Sequence, residues 1–189
     1  GKGRPVVIDC DPGIDDALAI FMALATDELY VTGITTCAGN VPVEHTTRNA
    51  LQILELARCE VEVSKGAADP LLSKRETAES VHGSNGLGDI FLPEPIIKVS
   101  DKKPNELIYN RAMLYKGELE LIATGPLTNV AQTLLIYPQL TSLIKRIWIM
   151  GGAAGSGNRT PASEFNIFAD AHAASIVFKS GIPITMCGL

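Results

Sequence analysis

The sequence has no long hydrophobic run, and this absence narrows its class at once. No apolar stretch approaches the roughly 18–20 residues that a membrane span requires, and the apolar run at residues 17–25 is too short. The N-terminal region also lacks a signal-peptide pattern, because acidic residues follow the first apolar run almost directly. We therefore expect a protein without a membrane partner.

Cysteine and positive charge are also scarce. The four cysteines, at positions 10, 37, 59 and 187, show neither paired metal-ligand spacing nor a dense disulfide pattern. Free thiols in a reducing, cytoplasmic setting are the simplest expectation. The formal net charge of −5 argues against a nucleic acid as the main partner, because a phosphate backbone requires a basic surface. With 46% hydrophobic residues in 189, the composition predicts one globular domain over residues 1–189.

Strand and helix patterns alternate along the chain. Short apolar, β-branched runs predict strands at residues 5–9, 29–36, 61–63, 119–123, 146–150 and 184–187. Helical patterns lie between them, at residues 15–25, 42–57, 105–115, 127–137 and 171–180. Core candidates of the second helix are Leu51, Ile53, Leu54 and Leu56. The alternation predicts an α/β fold, a mostly parallel, Rossmann-like open sheet with helices on both faces.

Negative charge is concentrated directly after the first predicted strand, in a segment that we call the acid turn (residues 9–16). It reads Asp-Cys-Asp-Pro-Gly-Ile-Asp-Asp, with four carboxylates in eight residues. Such clustering is costly unless a cation neutralises it, and carboxylate oxygens are hard ligands that suit Ca²⁺ or Mg²⁺. A helix-capping interpretation would account for Asp15, Asp16 and a capping Asp11. It leaves Asp9 unexplained, so metal binding or catalysis is favoured.

Polar residues also follow the ends of other predicted strands, at residues 36–40, at Thr124 and at residues 150–166. Ligands of open α/β sheets bind outside the carboxyl ends of the strands, so these segments are expected to converge on one cleft. The donors and acceptors of the last segment suit hydroxyl groups; they are Asn158, Glu164 and Asn166. His82, among glycines, fits substrate contact and a surface loop equally well.

The acid turn resembles the N-terminal fingerprint of the nucleoside hydrolase family, of the inosine–uridine-preferring type. Further segments resemble family motifs in the family order: Gly39-Asn40, His82-Gly83, Thr124-Gly125-Pro126-Leu127-Thr128-Asn129, Met150-Gly151-Gly152 and Glu164-Phe165-Asn166. The resemblance covers essentially the whole chain. It implies calcium-dependent hydrolysis of the N-glycosidic bond of ribonucleosides to ribose and free base. It also implies a homodimer or a homotetramer.

The resemblance implies a role for each matching residue. Asp11 and Asp16 would be carboxylate ligands of Ca²⁺, and Thr124 would bind the ion through its main-chain carbonyl. Asp15 would be the general base that activates a metal-bound water, and Asp9 would support the site. Substrate contacts would come from Asn40, Asn158, Glu164 and Asn166 at the ribose hydroxyls, Met150 beneath the sugar and His82 near the base. Independently of the resemblance, the aromatic residues Trp148 and Phe165 are expected in the core or at the cleft wall.

The chain also departs from the family pattern. It ends at Leu189, where family members continue into an Asp that would be a further calcium ligand and a later His that would protonate the leaving base. The resemblance therefore implies either a fragment of a longer gene product or a truncated form, for which weak calcium binding and poor turnover are expected. Ser84-Asn85 stands where an acidic residue is frequent, which leaves the base preference open.

Two other classes of function remain open from the sequence. A strand that runs into Asp9-x-Asp11 also resembles the nucleophile loop of haloacid dehalogenase-like phosphatases, in which Asp9 would form an aspartyl-phosphate. Gly13 stands where that family has Thr or Val, which counts against this alternative. The second is a non-catalytic module that binds a nucleoside or calcium.

Overall fold

The computed structural model describes residues 3–38, 42–66, 95–150 and 171–188, with only the backbone described at positions 14 and 15. The strands in these ranges are β1 (Arg4–Cys10), β2 (Leu29–Thr36), β3 (Val63–Lys65), β4 (Leu119–Ala123), β5 (Ile144–Met150) and β6 (Ile184–Cys187). The α-helices are α1 (Ile14–Ala25), α2 (Val43–Ala57), α3 (Pro104–Leu114), α4 (Thr128–Ile136) and α5 (Ala171–Phe178). A short 3-10 helix covers Pro138–Ser142.

The strands form one parallel sheet in the order β3-β2-β1-β4-β5-β6. The chain builds outward from β1 to β2 and β3, then crosses back to place β4 on the other side of β1. The boundary between β1 and β4 is therefore the point at which the strand order reverses. In such sheets a crevice opens at this point, beyond the carboxyl ends of the two strands.

Helices cover the sheet on two sides, because side chains alternate along each strand. Val6, Ile8 and Cys10 of β1 belong to the apolar cluster that includes Ile20 of α1 and residues of α2. Val7 belongs to the opposite cluster, with residues of α3, α4 and α5. The predicted fold, a mostly parallel sheet with helices on both faces, is confirmed.

Several predicted bounds differ from the structure by one or two residues. Two wrong predictions, one of a strand's bounds and one of a core residue, have a clear physical reason. The third strand runs from Val63 to Lys65 rather than over residues 61–63, because its pairing with Ile34 of β2 begins at Val63. Leu56, expected in the core, is 54% exposed. The inward face of α2 is already occupied by residues such as Ile53 and Leu54, and Leu56 falls outside that stripe.

All four cysteines are free thiols, as expected. Within the described residues, no helix combines the length and the apolar character that a bilayer crossing demands. The cytoplasmic location stays a prediction.

Candidate active site

The position of Asp9 follows from the alternation of β1. It shares a face with Val7, so its carboxylate lies in what would otherwise be a core position, and it is only 1% exposed. Oδ1 accepts hydrogen bonds from Thr35 Oγ1 at 2.6 Å and from Asn129 Nδ2 at 2.8 Å. Oδ2 is buried and has no hydrogen-bond partner among the described residues. A core carboxylate held on one oxygen therefore presents a second oxygen with unmet bonding capacity.

Asp11 and Asp16 lie together at the strand-order reversal, next to the end of β4. Asp16 Oδ2 accepts a hydrogen bond from Thr124 Oγ1 at 3.2 Å, and the Thr124 amide donates to the carbonyl of Asp9 at 2.9 Å. Gly125 packs so closely that a Cβ there would lie 2.6 Å from Asp11 Oδ1. The predicted metal residues Asp11, Asp16 and Thr124 are thus neighbours in the structure.

Burial makes the negative charges of this cluster costly. It raises the pKa of Asp9 from 3.8 to about 6, although the hydrogen bonds from Thr35 and Asn129 act in the opposite direction. Burial, and next the charge of Asp16, hold the pKa of Asp11 well above its usual range. Burial and the neighbouring acids likewise raise the pKa of the Cys10 thiol, which makes it a poor nucleophile.

These residues fit a divalent cation such as Ca²⁺. The buried oxygens Asp9 Oδ2 and Asp11 Oδ2 both lack a hydrogen-bond partner in the described part of the chain. A cation would compensate this buried charge, and oxygen ligands are those that Ca²⁺ takes. Among the side chains that the structure describes, no three His, Cys, Asp or Glu groups are arranged as a ready cation cage. The side chain of Asp15 lies outside that part.

Helix capping does not explain Asp11. The N-cap residue of α1 is Gly13, in an extended conformation, and no side-chain cap hydrogen bond is formed. The capping role considered for Asp11 is therefore wrong. The turn is instead held from α2, since Asn49 Nδ2 donates a hydrogen bond to the carbonyl of Pro12 at 3.1 Å.

Among the predicted substrate contacts, only Met150 lies within the described residues. Met150 ends β5 at the carboxyl edge of the sheet and is half-buried, which suits a residue beneath a bound sugar. Trp148, expected in the core or the cleft wall, is half-buried, and its Nε1 donates to Glu120 Oε1 at 3.0 Å. The remaining predicted contacts fall outside the described residues: Asn40, His82, Asn158, Glu164, Phe165 and Asn166.

Three residues of the site had no role assigned from the sequence. Thr35 and Asn129 hold Asp9, and Gly125 lets the chain approach Asp11. Asn129 and Gly125 lie in the segment Thr124–Asn129 that carried the family resemblance, but the side chains that they touch could not be read from it. Thr35 was missed for the same reason, because it stands beside Asp9 only when β1 and β2 are paired in the sheet.

Comparison with known sequences decides the family. The sequence pattern of the family described as inosine-uridine preferring nucleoside hydrolase matches residues 6–189. The chain belongs to this family. The resemblance inferred from the motifs is thus confirmed.

Similar proteins are found among both sequences and solved structures. The chain is 48% identical over 187 residues to the pyrimidine-specific ribonucleoside hydrolase RihA of Shewanella woodyi, covering 98% of this chain and 60% of that one. It superimposes on the purine-preferring ribonucleoside hydrolase of Gardnerella vaginalis with a TM-score of 0.87 at 35% identity, covering 98% of this chain and 61% of the other. A plant nucleoside hydrolase, PpNRh1, gives a TM-score of 0.87 at 36% identity, with 98% and 60% covered. The chain thus spans about 60% of the length of these relatives.

Proposed function

We propose that the protein hydrolyses the N-glycosidic bond of ribonucleosides, releasing ribose and the free base. The observation that carries the proposal is the pair of buried, unpartnered carboxylate oxygens of Asp9 and Asp11 at the strand-order reversal. The family membership adds support, because the similar proteins are ribonucleoside hydrolases by name. In the proposal Asp11, Asp16 and the carbonyl of Thr124 hold a Ca²⁺ ion.

The chemistry follows from the charges. Cleavage of the glycosidic bond develops positive charge on the sugar, which the carboxylates of the acid turn stabilise electrostatically. Asp15, at the start of α1, accepts the proton of the attacking water. When bound, Ca²⁺ lowers the pKa of a coordinated water and fixes its direction. Burial of the site keeps bulk water away and strengthens these interactions.

The ribose is held by residues near the other strand ends. We assign its hydroxyls to Asn40, Asn158, Glu164 and Asn166, with Met150 beneath the ring. Phe165 forms the wall of the cleft and His82 lies near the base. Buried polar partners of this kind reject a sugar that lacks a hydroxyl, because the protein groups would then be left unpaired.

Pyrimidine ribonucleosides are the proposed substrates. The support is similarity, since the relative at 48% identity is named as pyrimidine-specific, whereas the purine-preferring structure is 35% identical. The motifs led us to expect substrates of the inosine–uridine type, and this proposal narrows that range to pyrimidine ribonucleosides. Uridine and cytidine are therefore expected to be cleaved faster than inosine.

The test is direct. The protein, alone and joined to the remaining region of a relative, is incubated with uridine, cytidine and inosine in the presence of Ca²⁺, and the release of reducing sugar is followed. Ribose release from the pyrimidine nucleosides is expected, with higher rates in the extended chain. Release from inosine at equal or greater rates would contradict the base preference but not the reaction.

Two outcomes would favour the other candidate functions. Binding of ribose or nucleoside without any cleavage, in both forms, would indicate a non-catalytic module. Robust hydrolysis of a phosphate monoester with Mg²⁺ would indicate a phosphatase. The structure argues against the second outcome, because a nucleophile must reach its substrate, whereas Asp9 is buried and two hydrogen bonds hold one of its oxygens.

We also propose that the protein forms a homodimer or a homotetramer. The support is the exposed apolar surface of α1, where Leu18 is 63% and Met22 is 65% exposed. Light scattering after gel filtration would show a dimer or tetramer mass, and a monomer at every concentration would contradict the proposal.

A further inference from the structure

The side-chain amide of Asn129 joins segments that are far apart in the sequence. Asn129 lies in the first turn of α4 and is 1% exposed. One hydrogen of its Nδ2 goes to Asp9 Oδ1 and the other to the carbonyl of Thr36, each at 2.8 Å. These acceptors end two neighbouring strands, β1 and β2. A residue placed after β4 therefore fixes the ends of both.

The end of a third strand, β3, packs against the same side-chain amide of Asn129. Gly66 follows β3, and a Cβ on it would lie 2.0 Å from the carbonyl oxygen of Thr36 and 2.4 Å from Asn129 Nδ2. No side chain fits there, so the backbone after β3 packs directly against the Asn129–Thr36 hydrogen bond. Thr35 completes the arrangement, since its hydroxyl donates to the same oxygen of Asp9.

The two acceptors of Asn129 lead into the two parts of the proposed site. Asp9 precedes the metal residue Asp11 by two positions, and Thr36 precedes the proposed ribose contact Asn40 by four. With Oδ1 of Asp9 held by two donors, its carboxylate plane is fixed and Oδ2 stays oriented. A displacement at either strand end would move the cation residues relative to the sugar contact, and small displacements cost large factors in rate.

We propose that Asn129, assisted by Thr35, is a positioning residue of the active site, which sets the acid turn against the end of β2. It touches neither substrate nor cation and acts through Asp9 and Thr36. This inference rests on the proposed function. Groups that orient ligands in this way affect metal affinity or activity by roughly 10–100-fold when they are removed.

The chain offers a matched pair of variants. Thr35→Val removes the hydroxyl that holds Asp9. Thr32→Val makes the same change three positions earlier on the same strand, where the hydroxyl donates to the carbonyl of Val6 at 3.0 Å. Asn129→Asp keeps the side-chain shape but loses both donated hydrogens, and Thr35→Ser keeps the hydroxyl.

The measurements are the Ca²⁺ dissociation constant by titration calorimetry, the melting temperature, and kcat and KM for uridine. Thr35→Val and Asn129→Asp are expected to weaken Ca²⁺ binding and to lower kcat, each by about tenfold or more. Thr35→Ser and Thr32→Val are expected to keep a Ca²⁺ dissociation constant and a kcat near those of wild type. The melting temperature of Thr32→Val is nevertheless expected to fall as far as that of Thr35→Val. Hydrogen exchange at residues 9–13 and 35–38, which lie beyond the Thr32–Val6 hydrogen bond, should quicken in Thr35→Val and Asn129→Asp but not in Thr32→Val.

The outcomes separate this inference from the function on which it rests. If the Ca²⁺ dissociation constant follows the melting temperature across the series, Asn129 is merely structural and the inference is overturned. If wild type binds Ca²⁺ but releases no ribose, the proposed function fails while the Ca²⁺ comparison still decides the role of Asn129. Should Asn129→Asp fail to fold, Thr35→Val against Thr32→Val tests the same oxygen of Asp9, which Asn129 and Thr35 both hold, and an unchanged Ca²⁺ dissociation constant in Thr35→Val overturns the inference.

Discussion

Single carboxylates carry the proposed chemistry of this protein. Asp9 and Asp11 are buried, and in the described residues each keeps one oxygen without a hydrogen-bond partner. Unpaired buried charge costs several kcal/mol in ordinary structures (of order 2–7 kcal/mol for an unmet polar group), so proteins rarely retain it without a use. In the proposed mechanism, Asp15 is the general base that accepts the proton of the attacking water.

Asp15→Asn is expected to lower ribose release by roughly 10²–10⁴-fold, because the amide cannot accept the proton of the attacking water. Steady-state kinetics with uridine would measure it. Asp27→Asn makes the same chemical change at an exposed site before β2 and should leave kcat near wild type. Normal rates in Asp15→Asn would show that another group is the base.

Gly125→Ala is expected to weaken Ca²⁺ binding, because the new methyl group would lie 2.6 Å from Asp11 Oδ1 and must push that carboxylate aside. The loss should be about tenfold or more in the Ca²⁺ dissociation constant, measured by calorimetry.

Gly33→Ala is the control, since its added methyl would meet Leu107 Cδ2 at 2.7 Å in the apolar core instead. It should lower the free energy of unfolding by about 1–3 kcal/mol and leave Ca²⁺ affinity unchanged. An equal loss of affinity in both variants would show that general overpacking is responsible.

At the scale of elements, periodicity predicted most of the fold. Strands β2, β4 and β6 have the predicted bounds, since each is a short β-branched run between turn residues. The placement of Asp11, Asp16 and Thr124 in one cluster followed from the rule that strand ends meet.

What periodicity could not supply was pairing between distant elements. The bounds of β3 depend on its partner Ile34, and the exposure of Leu56 depends on where α2 rests against the sheet. The hydrogen bonds of Asn129 to β1 and β2 likewise span 120 and 93 positions. No local pattern encodes such contacts.

The element-scale prediction concerns Glu62, which joins the start of β3 to α3. Its carboxylate accepts hydrogen bonds from Ser100 Oγ, from Lys102 Nζ at 3.1 Å and from Arg111 Nη2 at 2.9 Å. Partial burial alone would raise its pKa, but these three donors outweigh it and lower the pKa from 4.5 to about 2. Ionised Glu62 therefore stabilises the fold above pH 4.5, and the contribution is lost as the pH falls towards 2.

Glu62→Gln is thus expected to lower the free energy of unfolding at pH 7 by about 1 kcal/mol, a difference that disappears at low pH. Urea unfolding at a series of pH values would measure it. Exposed Glu60→Gln serves as the control and should differ little from wild type at any pH. A difference between Glu62→Gln and wild type that persisted undiminished at pH 2 would contradict the ion-pair account.

At the scale of the whole molecule, the buried acids predict that a cation stabilises the fold. Ca²⁺ at a hundred times its dissociation constant should add about 2.7 kcal/mol, which corresponds to a rise of roughly 5–10 °C in melting temperature for a chain of this size. Scanning calorimetry with Ca²⁺ and with chelator would measure the rise. Mg²⁺ should give less, because it gives up its waters reluctantly.

Asp11→Asn should remove most of the Ca²⁺-dependent rise, and Asp27→Asn should leave it intact. An equal rise in both variants would mean that Ca²⁺ acts elsewhere on the surface.

The strand order has a consequence for how the chain folds during its synthesis. β1 is translated before β4, its second neighbour in the sheet, and the contacts that complete the acid turn join residues 108 and 120 positions apart. Closing so long a loop is slow, because the chain loses conformational entropy before the stabilising contacts form. On the ribosome, the acid turn therefore emerges before α4 but cannot take its final form until α4 has left the exit tunnel. Until then its carboxylates remain hydrated, and the part of the site that is translated first is the part that matures late.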